Sequence, residues 1–187
     1  MIIPKRVEKF YYLGYPKIVA MITSGTFENS NVMPATWNTP VSMDPPLFAV
    51  AVAPIRFTFK LIEEHGEFGL NFLPFEKAEL VYKAGYTSGK DVDKFEELGL
   101  TRIKAKKIKA PLLSEAITAI ECKVINKVET GDHVLFVCEV LQTWVNPDYV
   151  DKDGRIVLAK VSPVYHIGRK RFVKIDPDSL VDFEESS

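Results

Sequence analysis

The sequence AIECKVINKVETGDHVLFVCEV, residues 119–140, contains the clearest hairpin signal of the chain. Its first half alternates apolar and charged residues, which is the two-residue period of a strand with one solvated face. The apolar face holds Ile120, Cys122, Val124 and Val128, and the charged face holds Glu121, Lys123, Lys127 and Glu129. A turn signal, TGD, follows at residues 130–132, and residues 134–140 are then apolar on both faces apart from Glu139. The stretch predicts a hairpin whose second strand lies centrally in a sheet.

Further short strands and helices flank this hairpin. Continuous apolar runs, typical of strands buried on both faces, lie at Ile18–Ile22 and Leu47–Ala53, and Phe68–Leu73 is a third predicted strand. Helices with a glycine close behind them are predicted at Thr58–His65, Phe75–Lys83 and Asp91–Leu98. The last part of the chain adds strand-like pieces at Ile156–Val161, Val164–Ile167 and Phe172–Ile175. Many short strands with few helices favour a mainly β barrel over a doubly wound α/β sheet.

Composition narrows the function classes without naming one. The chain has 187 residues, a length that suggests one domain, and it is 47% hydrophobic, enough for a substantial core. A net charge of −1 gives no broad basic field, so neither nucleic acid nor a membrane surface is an expected partner. Scattered histidines and cysteines predict neither a metal site nor a disulfide scaffold. No run resembles a signal peptide or a membrane span, so a cytoplasmic location is expected.

Three familiar motifs are absent: the dinucleotide-binding GxGxxG, the phosphate loop GxxxxGK[ST] and the hydrolase elbow GxSxG. The first positive segment is NVMPATWNTP, residues 31–40, which follows a buried strand and contains two prolines. Prolines hold such a segment extended and leave backbone amides free to face a ligand. An edge strand followed by a loop explains the same residues, and composition alone favours that alternative.

Two later segments carry groups that bind phosphate. Arg56 stands just before the helix predicted from Thr58, where free N–H groups and the positive end of the helix dipole favour an anion. Ser88 and Lys90 lie in a polar loop that suits the same role. The alternatives are that Thr58 caps the helix, Arg56 is solvated and the loop faces water. His133, before the second hairpin strand, either faces a ligand or is simply a polar residue at a strand start.

These segments belong to an ordered set that spans most of the chain. Its members are Asn31–Asn38, Ser42 with Pro45 and Pro46, Arg56 with Thr58, Phe68–Leu73, Asp93–Phe95 with Gly99 and Leu100, Pro111–Leu113, Glu115 with Ala116, Glu121 with Cys122, Gly131–His133, and Glu139 with Val140. The set resembles the flavin reductase-like family. The resemblance implies a mainly β fold: an FMN-binding split β-barrel with a few short helices, homodimeric. It makes residues 1–187 a single domain, with its core at about 14–168 and a C-terminal extension at about 169–187.

The resemblance also implies where FMN binds, at a homodimer interface. The implied cofactor-binding residues are Met33, Pro34, Ala35, Thr36, Trp37 and Asn38 along the isoalloxazine edge, and Arg56, Thr58, Ser88 and Lys90 at the phosphate. Asn71 would lie near the flavin. His133 would be the catalytic residue, near the ring face where a nicotinamide stacks.

Two departures from the family pattern bear on substrate access and packing. Cys138 stands where members often have a glycine, which alters backbone packing there. Ala35, Thr36 and Trp37 replace the usual serine-rich flavin segment. Trp37 would then cover the ring and narrow the space for a nicotinamide.

The expected function is an FMN-dependent oxidoreductase of the NAD(P)H:flavin or ferric reductase type. Hydride would pass from NADH or NADPH to FMN, and electrons on to free flavin, ferric iron or another small-molecule acceptor. Because a flavin performs the difficult step itself, the lack of a conspicuous acid–base pair agrees with this expectation. Two alternatives stay open: an FMN-binding electron carrier without NAD(P)H activity, and a β-barrel interaction module that binds no cofactor.

Overall fold

The structure, a computed structural model, describes residues 2–183. Within them are twelve strands and three α-helices. The strands are β1 (Lys17–Ile18), β2 (Ala20–Gly25), β3 (Ser30–Ala35), β4 (Asn38–Ser42), β5 (Leu47–Val52), β6 (Glu67–Phe72), β7 (Arg102–Ile103), β8 (Leu112–Leu113), β9 (Thr118–Glu129), β10 (Val134–Val145), β11 (Tyr165–Gly168) and β12 (Arg171–Val173). The helices are α1 (Phe57–His65), α2 (Ala78–Tyr86) and α3 (Lys94–Leu98). None of these three is long and apolar enough to cross a membrane.

The main sheet closes into a split barrel. Seven antiparallel strands follow the order β3-β2-β6-β9-β10-β5-β4. β3 and β4 are the two edges, yet only Thr36 and Trp37 separate them along the chain. Two extended residues span about 7 Å, far less than the width of seven strands spaced at about 4.8 Å. The sheet therefore curls until its edges meet, and the split lies between β3 and β4.

The hairpin predicted at residues 119–140 is confirmed as β9 and β10. β10 pairs with β5 on its other side, so it lies centrally, as predicted. The predicted solvated face of β9 is wrong at Glu121, which is 0% exposed. The loop at residues 106–108 folds over this face, and its backbone amides donate hydrogen bonds to the Glu121 carboxylate. Further along, a register shift opposite Val137 interrupts the alternation, and Val128 is 43% exposed.

Two apolar clusters hold the barrel and its helices. One fills the barrel interior with Ile22, Val50, Phe68, Phe136 and their neighbours. The other lies on the opposite face of β2 and β3, and its members include Met21, Leu73, Val81, Phe95 and Val164. Because α2 and α3 contribute to the second cluster, both helices are held against the outside of β3. This packing brings the start of α3 and the end of α2 to the barrel's split edge.

The three predicted helices are confirmed with shifted ends. α1 begins one residue before the predicted start. The second predicted helix is a 3-10 turn, Phe75–Lys77, followed directly by α2. α3 begins after Asp93, whose carboxylate caps it by accepting a hydrogen bond from the Phe95 amide at 2.8 Å.

The strand predicted at residues 156–161 is wrong. The amides of Lys160 and Val161 both donate to the Val157 carbonyl and form a turn there. Ile156 makes only an isolated bridge with Val150. The two later strand-like pieces correspond to β11 and β12, which join β1 in a separate three-stranded sheet.

Candidate functional site

Two adjoining clefts lie at the split edge of the barrel. The first, which we name the turn cleft, has a volume of about 220 Å³ and is lined by residues 33–37, residues 51–53, Arg56, Gly85 and His133. The second, the helix cleft, has a volume of about 240 Å³ and lies at the start of α1. Met33, Arg56 and Gly85 line both. The two clefts therefore form one elongated site with Arg56 at their junction.

Hydrogen bonds fix the short connection that walls the turn cleft. The Asn38 amide group donates to the carbonyls of Ile18 and Ala35, at 3.2 and 3.0 Å. The Trp37 carbonyl accepts from the Ala51 amide at 2.9 Å. The Thr36 hydroxyl lies 3.0 Å from the Tyr15 hydroxyl. Residues 30–35 form an edge strand, as the alternative interpretation expected, and the same segment also forms the cleft wall.

Aromatic rings cover one side of the turn cleft. The centroids of Trp37 and His133 are 4.5 Å apart with their planes at 40°. Tyr11 packs edge-on against Trp37, with centroids 5.6 Å apart. His133 Nδ1 lies 2.8 Å from a carboxylate oxygen of Asp132, and this hydrogen bond lowers the pKa of Asp132. The carboxylate accepts, so Nδ1 donates, and the neutral ring keeps an acceptor at Nε2.

Thr58 occupies a different place from the predicted one. The N-cap of α1 is Arg56, with extended backbone and no side-chain capping hydrogen bond. Thr58 is the second residue of the helix, and its buried hydroxyl accepts a hydrogen bond from the Asn31 amide group at 2.7 Å. The alternative in which Thr58 caps the helix is therefore wrong, because the N-cap lies two residues earlier, at Arg56. The first backbone N–H groups of α1 have no acceptor within the helix, and Phe57 and Thr58 line the helix cleft.

A buried lysine adds a second cation to the helix cleft. Lys94 is 3% exposed, and its Nζ donates to the carbonyls of Val32 and Ala84, at 3.0 and 2.6 Å. Burial, followed by the charge of Arg56, lowers the pKa of Lys94 to about 8. In the described part of the chain, neither cation forms an ion pair with a carboxylate. Lys94 was not predicted as a site residue, and only its place in the Asp93–Phe95 motif pointed to it.

Asn31 and Gly89 complete the wall of the helix cleft. The Asn31 side-chain oxygen is buried and has no hydrogen-bond partner within residues 2–183. The Gly89 backbone packs so closely that an added Cβ would collide with this side chain. A glycine is therefore needed for the loop after α2 to approach β3.

The remaining predicted residues lie at different distances from the two clefts. Ser88 lines the helix cleft, and its hydroxyl accepts from the Lys90 amide at 3.3 Å. Lys90 is exposed and lines neither cleft. Asn71 is buried inside the barrel wall, where it donates to the Met21 carbonyl and accepts from the Leu113 amide. Asn38 supports the turn from behind, through the hydrogen bonds given above.

Solved structures identify the class of protein. An FMN-binding protein from Thermus thermophilus, solved with bound 1-cyclohex-2-enone, matches with a TM-score of 0.85 and 29% identity over 97% of this chain and 98% of that one. Flavoredoxin of Desulfovibrio vulgaris matches with a TM-score of 0.82 and 26% identity over 98% of this chain and 97% of that one. The predicted fold class is confirmed: the chain is a mainly β split barrel of the FMN-binding type.

Sequence comparison then gives the family. A family model described as a flavin reductase like domain matches residues 12–172, and the chain belongs to this family. An uncharacterized protein of Archaeoglobus fulgidus is 42% identical over 141 residues, 75% of this chain and 78% of that protein. A ferric-chelate reductase (NAD(P)H) of the same archaeon is 26% identical over 144 residues, 76% of this chain and 82% of that protein.

Proposed function

We propose that the chain binds FMN across the two clefts and acts as an NAD(P)H-dependent flavin or ferric reductase. The observation that carries this proposal is the helix cleft, where Arg56, Lys94 and the first amides of α1 come together. No carboxylate among residues 2–183 forms an ion pair with either cation. Such a group of donors suits a phosphate. The turn cleft continues from it past Arg56 and offers space for a flat ring beside the Met33–Trp37 backbone. These residues fit the two ends of FMN.

Each part of the site has a definite task in this proposal. Arg56, Lys94 and Ser88 would hold the phosphate, and the backbone of residues 33–37 would orient the ring. When bound, FMN supplies the hydride and electron-transfer chemistry. His133, which lines the turn cleft, would hydrogen-bond an incoming nicotinamide and need not move a proton. Family membership and the ferric-chelate reductase relative support this activity.

One observation favours a second candidate, an FMN-binding electron carrier. Trp37 lies against His133 on one side and Tyr11 on the other, so an aromatic cover narrows the turn cleft. A cover of this kind restricts the approach of a nicotinamide to a ring beneath it. The likeness to flavoredoxin agrees with this alternative.

Anaerobic titration of the purified protein tests these candidates. We expect flavin absorbance, a sedimentation mass of two chains with flavin bound, and bleaching by NADH or NADPH. The homodimer is itself a proposal, supported by family membership. A flavin that dithionite bleaches and neither nucleotide does would favour the electron carrier. Protein that stays colourless with added FMN would contradict flavin binding altogether.

His133→Ala is expected to slow flavin reduction by NAD(P)H about three- to tenfold, because it removes one hydrogen bond to the nicotinamide. FMN content, sedimentation mass and reduction by dithionite should stay unchanged. Stopped-flow absorbance under anaerobic conditions measures both reductions. If the variant instead loses thermal stability while its rate with NAD(P)H stays near wild type, His133 only holds Asp132 and the hairpin.

FMN affinity is expected to fall as the pH rises above about 8. Lys94 has a pKa of about 8, lowered by burial and then by Arg56, while Glu97 acts in the opposite direction. A nearby phosphate favours the charged lysine and raises this pKa, so binding above pH 8 takes up a proton. Above the pKa of Lys94 in the free protein, the FMN affinity should fall by at most about tenfold per pH unit. Fluorescence titrations with FMN and riboflavin, between about pH 7 and about pH 9, measure it.

Riboflavin provides the internal control, because it has no phosphate and its affinity should not follow Lys94. Lys94→Met should weaken FMN binding and abolish the pH dependence, whereas Lys90→Met, on the exposed loop, should preserve both. An FMN affinity that is flat across this pH range in the wild type would show that Lys94 does not face the phosphate.

A further inference from the structure

A third cleft, which we name the tyrosine cleft, lies between α2 and the β11–β12 hairpin. It has a volume of about 180 Å³. Its walls include three aromatic rings and one cation, from Tyr82, Tyr86, Phe172 and Arg169. Pro34 and Thr36 also line it, and both residues line the turn cleft too. The two clefts therefore adjoin at the end of β3.

Tyr82 and Tyr86 give the cleft an aromatic wall that solvent reaches. The two rings lie one turn apart on α2, with their centroids 4.5 Å apart and their planes at 43°. Tyr86 is 64% exposed. The flat bases of nucleotides stack on exposed aromatic rings of this kind, because every base has a π-face. The open ring of Tyr86 therefore suits the base of a nucleotide.

Two cations from the turn between β11 and β12 lie at this aromatic wall. The Lys170 Nζ lies 5.7 Å from the ring centroid of Tyr82 and 5.6 Å from that of Tyr86. Arg169 lines the cleft directly. Among residues 2–183, no carboxylate forms an ion pair with either cation, and the residues that line the cleft include no acid. The cleft is therefore positively charged, and a phosphate is an anion that both cations can bind together.

Hydrogen bonds hold the turn that carries these cations. Arg169 has a positive φ of 53°. Its carbonyl lies 2.8 Å from the His166 Nε2, and its amide donates to the Tyr12 hydroxyl at 3.2 Å. Both contacts use the backbone of Arg169 and leave its guanidinium to a ligand. Because the turn is already fixed, a ligand loses less of its binding energy to ordering it.

We propose that the tyrosine cleft binds the adenosine 2′-phosphate half of NADPH, and that the protein therefore prefers NADPH to NADH. The adenine would stack on Tyr86, and the 2′-phosphate would lie between Arg169 and Lys170. The two nucleotides differ only in this phosphate, so only NADPH gains from the two cations. Because the cleft adjoins the turn cleft, one dinucleotide would extend from it to a flavin. This inference rests on the proposed function, which leaves the choice of nucleotide open.

Isothermal titration calorimetry with 2′,5′-ADP and 5′-AMP tests the cleft without any redox step. The two probes share adenosine and a 5′-phosphate, and only 2′,5′-ADP has the 2′-phosphate. Excess FMN is present, so that the helix cleft does not compete for either probe. We expect 2′,5′-ADP to bind about tenfold more tightly than 5′-AMP at low salt.

Three variants assign this preference to the two cations. Lys170→Met should reduce it to about threefold, and Arg169→Gln combined with Lys170→Met should remove it. Arg171→Met is the matched control, because it removes the same charge from the same hairpin. Arg171 and Phe172 are neighbours on β12, so their side chains lie on opposite faces. Since Phe172 lines the cleft, Arg171→Met should keep the preference.

Intermolecular nuclear Overhauser effects locate the base in the wild type, so the test stands even if a variant fails to fold. The adenine protons of 2′,5′-ADP should show contacts with the ring protons of Tyr86. Tyr86→Ala should weaken both probes about fivefold or more, because it removes the stacking ring and keeps the cations. Equal affinities of the two probes in the wild type, or a preference lost in Arg171→Met and kept in Lys170→Met, would overturn the proposal.

Anaerobic reduction by the two nucleotides separates this inference from the proposed function. We expect the second-order rate constant of flavin reduction to be about tenfold higher with NADPH than with NADH. Equal rate constants would overturn the inference and leave the proposed function intact. A preference for 2′,5′-ADP in a protein whose flavin neither nucleotide bleaches would contradict the proposed reductase and leave the cleft as a 2′-phosphate site.

Discussion

Arg56→Ala is expected to weaken FMN binding about 10- to 100-fold, the value of one charge-assisted hydrogen bond. Riboflavin affinity should stay within about twofold of wild type, since riboflavin has the same ring and no phosphate. Arg56 is exposed and makes no side-chain capping bond to α1, so its removal should cost little folding stability. Fluorescence quenching titrations with the two ligands measure both affinities.

Two control variants separate charge, geometry and folding. Arg56→Lys keeps the charge and loses the two-pronged guanidinium, so its FMN affinity should lie between wild type and Arg56→Ala. Lys60→Ala removes an exposed cation one turn further along α1 and should leave both affinities unchanged. If Arg56→Ala weakened riboflavin and FMN equally, the side chain would act through the fold and not on a phosphate.

Glu121→Ala is expected to lower the free energy of unfolding by about 3–5 kcal/mol, because it leaves four buried or partly buried donors without their anionic acceptor. The donors are the backbone amides of Lys106, Lys107 and Ile108 and the indole N–H of Trp144. For a domain of this size, the melting temperature should fall by about 6–20 °C. Differential scanning calorimetry and urea unfolding measure the two quantities.

Matched variants test whether this effect belongs to the buried carboxylate. Glu121→Gln keeps the shape but places an amide NH₂ against donors, and its loss should be smaller than that of Glu121→Ala. Glu67→Ala removes a carboxylate that accepts one loop amide, from Lys109, near the surface. Glu67→Ala should lower the free energy of unfolding by only about 1 kcal/mol. Equal losses in Glu67→Ala and Glu121→Ala would mean that the loop does not depend on the Glu121 carboxylate.

Glu121 also shows the limit of periodicity as a predictor. Alternation correctly places Glu121 and Cys122 on opposite faces of β9, but it does not predict which segment covers the outer face. The loop at residues 106–108 covers it, and that contact joins segments about 14 residues apart. The hairpin itself was predictable because its turn signal and its two strands are local. Burial of its outer face depends on tertiary packing, which has no period in the sequence.

The residues of the candidate site also differ in how far the nearby sequence indicates them. Arg56 and the turn at residues 33–37 became site candidates through the family resemblance, because their local signals alone suit a solvated arginine and an edge strand with a loop equally well. Lys94 was missed, because its burial depends on α3 packing against β3, and its Nζ reaches Val32, which is 62 positions away. Thr58 was placed one residue too far outside its helix, since composition fixes a helix end only approximately.

The two-residue connection between β3 and β4 links the binding site to folding. Trp37 and its neighbours can wall the turn cleft only after all seven strands have paired and brought the barrel edges together. A barrel in which some strands have not yet paired lacks this wall. A ligand of the turn cleft therefore binds only to the closed barrel. By mass action, a ligand at 100 times its dissociation constant stabilises that form by about 2.7 kcal/mol. A ligand in the turn cleft would thus stabilise the closed barrel against separation of β3 from β4.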